Sequence, residues 1–235
     1  MIDKPTLQFF GCSFTSLETS DTGYVFNNFK NVVSEKTNYS FNDRSKVGRS
    51  NEQIIDDVYT YYNINLNNLN RGNDIYVIQF SFNDRFGIYS DLVDKFISMC
   101  KIEKPDDYTE SIFVKFYNDW LKYFYSRKGR IREFKKQVDF LCSWLRSKNV
   151  KFICFGMDHD MDSEYYGGSF YERNNFIKFE NTHSLYGYAC MNKLRIADIP
   201  EYNIPNMPSD YHLNNDGHIY IANKILEKIE NKKFY

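Results

Sequence analysis

Short apolar runs rich in β-branched and aromatic residues recur at wide intervals along this chain, at Leu7 to Phe10, Ile75 to Phe80, Lys151 to Phe155 and, more weakly, Leu194 to Ile199. Runs of this kind suit strands buried on both faces. Helical patterns separate them. Tyr24 to Lys36 reads as a first helix. A second starts after Ser50, which reads as an N-cap with Gln53 completing a capping box, and turns Ile54, Ile55, Val58 and Tyr62 inward. Strands alternating with helices predict a parallel sheet covered on both faces, with ligands bound beyond the carboxyl ends of the strands.

The region from Phe86 to Asn149 predicts a long helical stretch, including Phe113 to Tyr125 and Ile131 to Leu145, larger than a simple crossover needs. A last helix starting near Asn214 or Asn215 carries Ile219, Ala222, Ile225, Leu226 and Ile229 as a core-facing stripe. The 235 residues suffice for one sizeable α/β core. With 30 Lys and Arg against 31 Asp and Glu, nothing in the charge points to nucleic acid or an anionic membrane as the main partner. Small or neutral ligands fit better. No export signal opens the sequence, and no window approaches the roughly 20 apolar residues of a membrane span, so a cytoplasmic location is expected. Cys12, Cys100, Cys142, Cys154 and Cys190 show no CxxC spacing and read as free thiols of a reducing compartment.

Four polar positions border the predicted elements: Ser13 after the first strand, Gly48 before a helix, Asn83 after the Ile75 to Phe80 strand, and His212 before the final helix. Serine acyl transfer needs a hydroxyl, a base, a group that orients the base, and donors for the oxyanion. Each role has a candidate. Ser13 attacks, His212 moves the proton, and the backbone N–H groups of Ser13 and Gly48 with the Asn83 amide hold the oxyanion.

These blocks resemble those of the SGNH hydrolases, the GDSL-like esterase and lipase superfamily. Gly11-Cys12-Ser13-Phe14-Thr15 matches the nucleophile block, with Cys12 where the family usually has Asp. Val47-Gly48-Arg49-Ser50 matches the glycine block, and Ser81-Phe82-Asn83-Asp84 matches Gly-x-Asn-Asp with Ser81 in place of glycine. His212-Leu213-Asn214-x-x-Gly217-His218 matches the final block. The resemblance implies a three-layer α/β/α, flavodoxin-like sandwich in a single domain over 1–235. It has a central parallel sheet of about five strands and an enlarged helical insertion near 86–149. It also implies a serine ester hydrolase that needs no metal or organic cofactor and acts on a small-molecule or glycan ester, with carbohydrate O-acetyl groups the first substrate expected. Transfer of the acyl group to a glycan, or glycan binding without turnover, are the alternatives.

The family usually places its acid three residues before the histidine. Here that position is Ser209, and Asp210 lies two before His212. Residues two apart in an extended segment share a side, so Asp210 is the expected third member; a dyad, or Ser209 or a backbone carbonyl orienting the ring, are the other readings. Cys12 is expected to be buried rather than nucleophilic, and Gly48 serves equally as a turn glycine. Arg85 is a candidate contact for a substrate carboxylate or phosphate, or a surface ion pair. Asp158 to Asp162, around His159, reads as a solvated acidic loop rather than a metal site, and Gly156 to Gly168 as a loop. His183 and His218 read as structural residues. The aromatic stripe from Phe113 to Tyr125 reads as helix core.

Overall fold

A computed structural model describes residues 4–16, 27–65, 73–82, 85–90, 95–100, 119, 126–157, 173, 175–180, 182, 184–202 and 210–234. In chain order the elements are β1 (Thr6–Phe10), the single turn α1 (Ser13–Ser16), α2 (Phe29–Thr37), β2 (Ser40–Asp43), α3 (Asn51–Ile64), β3 (Ile75–Phe80), β4 (Arg85–Ser90), β5 (Lys95–Cys100), α4 (Arg127–Ser147), β6 (Lys151–Gly156), α5 (Leu185–Met191) and α6 (Asn215–Glu230). Two 3₁₀ turns, Ile196–Asp198 and Pro200–Tyr202, lie between α5 and α6.

Among the described residues four strands form one parallel sheet in the order β2-β1-β3-β6. The chain steps from β1 outward to β2 and then crosses back to β3 on the other side of β1. This reversal opens a crevice at the carboxyl ends of β1 and β3, as in doubly wound, flavodoxin-like sheets.

Side-chain alternation sorts the helices into two layers. Phe9 turns toward α2, with its ring 5.7 Å from that of Phe29. Its neighbour Phe10 faces the other way, 5.8 Å from Tyr61 of α3. Phe155 meets Phe29 on the first face, and Phe80 meets Phe134 of α4 on the second. Helices α2 and α6 pack together on the first face, while α3 and α4 are locked by Trp144 between Tyr59 and Tyr62 on the second. Burying each of the phenylalanines among these rings stabilises the fold by about 1.5 to 3 kcal/mol.

The sheet differs from expectation at its edges. β2 reads Ser-Phe-Asn-Asp and is largely exposed; an edge strand needs only one paired side and carries no apolar signal. Leu194 to Ile199 is not a strand. The Asp198 carboxylate folds back to accept from Arg195 N at 3.0 Å and from its guanidinium at 2.7 and 3.0 Å, which closes a 3₁₀ turn. The edge beyond β6 is instead occupied by Phe176, in a parallel bridge with Cys154. The 86–149 region is not wholly helical: β4 and β5 pair as an antiparallel hairpin, Arg85 opposite Cys100, before α4. Arg85-Phe-Gly-Ile-Tyr-Ser and Lys95-Phe-Ile-Ser-Met-Cys are rich in strand-forming residues, and Gly87 N ties the hairpin to Glu52 of α3 at 3.2 Å. Of the Phe113 to Tyr125 helix and its aromatic stripe, only Asp119 is described. The first helix begins at Phe29, where Asn28 caps it by accepting from Lys30 N.

Helices α3, α4 and α6 follow the sequence pattern, whereas α5 is not predicted by it. Ser50 and Gln53 form the reciprocal capping box of α3, and Asn214 caps α6 by accepting from Gly217 N. Cys12, Cys142 and Cys154 are buried free thiols and Cys190 is a partly exposed one. Among the described residues no helix is long and apolar enough to cross a membrane.

Candidate active site

Two segments at the carboxyl edge of the sheet meet across most of the sequence. The turn α1 leaves the end of β1 and carries Ser13. The segment Asp210 to Asn214 leads into α6 and carries His212. His212 Nε2 stands 2.9 Å from Ser13 Oγ, and His212 Nδ1 stands 2.8 Å from Asp210 Oδ1. A carboxylate only accepts, so Nδ1–H donates to Asp210 and Nε2 is left to receive the Ser13 hydroxyl. Asp210 and Ser13 are almost fully buried, while a quarter of the His212 side chain reaches solvent.

The contact between Asp210 and His212 is a local turn. Asp210 Oδ1 also accepts from His212 N at 3.0 Å, so the carboxylate is folded onto the residue it orients. The turn is held by the segment that fails to be a strand. Ile196 N donates to His212 O and Ala197 N to Asp210 O, both at 2.8 Å. Arg195 bridges Leu213 in antiparallel register. The Asn214 amide reaches back to Lys193 O and Arg195 O, and a Cβ at Gly217 would lie 2.8 Å from Leu194 O, so glycine is needed for α6 to start this close. The Arg195 guanidinium, hydrogen-bonded to Asp198, holds that carboxyl below its ordinary range.

His218 anchors the other side of α6. It is buried, its ring is stacked on Phe29, and its Nδ1 accepts from Phe29 N at 3.3 Å. Burial, with the nearby His212 and Lys30 charges, pushes its pKa down to about 3, so the ring is neutral.

On the Ser13 side, Cys12 is fully buried and in contact with Gln79 of β3. Gln79 Oε1 accepts from Cys12 N and from Thr15 Oγ1, and Asn28 Nδ2 donates to Thr15 O at 3.0 Å. Neither Gln79 nor Asn28 stands out as a site residue in the sequence. The available signal is a glutamine inside an otherwise apolar strand, since a buried amide must find partners.

Gly48 adopts a left-handed backbone, φ 77°, which confirms its use as a turn glycine; a Cβ there would meet nothing within 4 Å. Its loop is tied to the nucleophile turn by Lys46 N donating to Gly11 O at 3.1 Å. Asn83 lies outside the described residues, as do Ser209, His159, His183 and Asp158 to Asp162. The described residues that flank Asn83 in sequence are held in place. Asn51 clamps Ser81 by accepting from its N–H at 2.7 Å and donating to its carbonyl at 3.3 Å, and Arg85 N returns to Phe82 O at 3.2 Å. The Arg85 side chain is partly buried, with Nη1 making no hydrogen bond among the described residues.

An aromatic wall runs outward from the histidine. Phe14 lies 4.6 Å from the His212 ring and 6.1 Å from Phe82; Phe82 meets Tyr186, and Tyr186 meets Tyr211, which is 48% exposed. The Arg195 guanidinium sits 5.5 Å from the Tyr211 ring centre.

No family model matches this chain, and no curated protein matches it. Solved structures do resemble it over nearly its full length. A catalytic mutant of Axe2, an acetylxylan esterase from Geobacillus stearothermophilus, is 10% identical, with 97% of this chain and 96% of the other covered at a TM-score of 0.47. The psychrotrophic esterase EstA from Pseudoalteromonas sp. is 9% identical, with 96% and 97% covered at a TM-score of 0.42. A structure from Desulfitobacterium hafniense DCB-2, described as a lipolytic protein of the G-D-S-L family, is 8% identical, with 94% and 98% covered at a TM-score of 0.41.

Proposed function

We propose that the protein is a serine ester hydrolase of the SGNH type, working through an acyl-enzyme on Ser13. The observation that carries this reading is the continuous relay from Ser13 Oγ through the His212 ring to Asp210, with contacts of 2.9 and 2.8 Å. A hydroxyl is a weak nucleophile at its own pKa, and a base within hydrogen-bond reach, itself held in one tautomer, removes that limit.

In the proposed cycle His212 Nε2 takes the Ser13 proton as Oγ attacks the ester carbonyl. Negative charge on the carbonyl oxygen is received by Ser13 N–H, Gly48 N–H and the Asn83 amide, and each such donor lowers the barrier by about 3 kcal/mol. His212 returns the proton to the leaving alcohol. Water then enters by the same base and releases the acid. Asp210 stays ionised and stabilises the imidazolium. The cycle uses only the chain's own residues.

The near-complete burial of Ser13 favours a small acyl group, and the exposed ring of Tyr211 offers the departing alcohol a flat apolar surface. A carbohydrate O-acetyl ester is the substrate we infer. Turnover of p-nitrophenyl acetate by the wild-type protein, abolished in Ser13→Ala, supports the reading. Equal turnover in Ser13→Ala removes it.

A further inference from the structure

We propose that Gln79 is the positioning residue of the nucleophile turn, holding Ser13 in register with His212; this rests on the hydrolytic reading above. Gln79 is the second-last residue of β3, the strand beside β1, and is 1% exposed. A single oxygen, its Oε1, accepts from Cys12 N at 3.2 Å, from Cys12 Sγ at 3.4 Å and from Thr15 Oγ1 at 2.9 Å. These donors flank Ser13 on both sides. A backbone N–H only donates, so the contact with Cys12 N fixes which end of the amide faces the turn. The other end is occupied as well, since Nε2 donates to Phe80 O at 2.8 Å.

The composition of the block follows from this arrangement. A Cβ at Gly11 would lie 2.8 Å from Gln79 Oε1 and 2.5 Å from Thr15 Oγ1, so glycine is what lets the amide and the turn meet. Cys12 supplies an S–H that satisfies the same oxygen where a carboxylate would oppose it. Thr15 supplies the third donor, and its carbonyl is held by Asn28. Proton transfer from Ser13 depends on a single 2.9 Å contact to His212. A drift of about 1 Å in the turn is enough to cost on the order of 100-fold in rate.

The test compares Gln79→Leu, Thr15→Val and Thr15→Ser with Val138→Ala, a cavity-forming change in the fully buried core of α4. For each we would measure kcat and KM on p-nitrophenyl acetate, Tm, and hydrogen exchange of the Cys12 amide. Gln79→Leu should lower kcat about 100-fold with KM within about twofold, and its Cys12 amide should exchange at least about tenfold faster. Thr15→Ser keeps the hydroxyl donor to Gln79 Oε1 and should hold kcat to within about tenfold, whereas Thr15→Val removes that donor and should lose activity as Gln79→Leu does. Val138→Ala should lower Tm while kcat stays within about twofold. A folded Gln79→Leu protein with wild-type kcat, or with unchanged Cys12 exchange, overturns the proposal. So does a parallel fall of kcat and Tm in Val138→Ala. If Gln79→Leu does not fold, Thr15→Val decides: wild-type kcat in a folded Thr15→Val protein overturns it. A wild-type protein with no Ser13-dependent turnover instead defeats the hydrolytic reading, and Cys12 exchange still reports whether Gln79 holds the turn.

Discussion

Asp210 grips His212 twice through one carboxylate oxygen, Oδ1, which accepts from the backbone N–H at 3.0 Å and from ring Nδ1 at 2.8 Å. The two-residue spacing is therefore compatible with orienting the ring, because the acid forms a turn with the residue it serves. The same contact fixes the tautomer and, in the proposed cycle, would place a negative charge beside the imidazolium.

Asp210→Asn keeps an oxygen for the backbone N–H but removes that charge and allows the ring to turn over. We expect kcat for ester hydrolysis to fall roughly 10³- to 10⁴-fold with little change in KM. Steady-state kinetics on p-nitrophenyl acetate checks this, and a loss below about tenfold would assign the orienting role elsewhere.

Two glycines should respond in opposite ways. Gly48→Ala places a Cβ in open space and costs about 1 kcal/mol for the left-handed backbone, leaving its N–H available and kcat within a few-fold. Gly11→Ala drives a Cβ into Thr15 Oγ1 and Gln79 Oε1, at 2.5 and 2.8 Å, and should nearly abolish turnover. Thermal melts and kcat for both variants test the contrast.

Asn51 is expected to matter to catalysis without touching substrate. Asn51→Leu leaves the buried Ser81 N–H without its 2.7 Å acceptor, at a cost of about 1 to 3 kcal/mol, and loosens the chain at the end of β3, two residues before Asn83. Tm should fall, and kcat should fall about tenfold further than in Val138→Ala.

His218 gives the fold a defined acid sensitivity. Its pKa is about 3 in the folded protein against about 6.5 for an ordinary histidine, so below about pH 6.5 the unfolded chain takes up a proton that the folded chain refuses. The stabilisation is complete above that pH and is lost as pH falls toward 3, at up to about 1.4 kcal/mol per pH unit. His218→Asn retains an acceptor for Phe29 N and does not titrate. Urea unfolding at pH 7, 5.5 and 4.5 should show a shallower decline for the variant; identical slopes would assign the sensitivity to other groups.

Much of this architecture is legible in the sequence, for physical reasons. The buried strands β1, β3 and β6 announce themselves because both faces must be apolar, and α3 because Ser50 and Gln53 form a capping box. Strand β2 is hidden because an exposed edge needs no apolar run. The 3₁₀ turn at Ile196–Asp198 is hidden because an ion pair between Arg195 and Asp198 overrides a strand-like composition. In the site, Ser13, His212 and Asp210 are legible as chemistry, whereas Gln79, Asn28 and Asn51 are not. Their roles depend on backbone groups brought close only by the fold, which no spacing rule reports.

Activation of Ser13 by His212 is read out by covalent labelling with a fluorophosphonate, followed by intact mass and peptide mapping. One phosphonyl adduct is expected on Ser13 in the wild-type protein, and none in Ser13→Ala or His212→Ala. An adduct that persists in Ser13→Ala, or a folded wild-type protein that takes up no label, would contradict it.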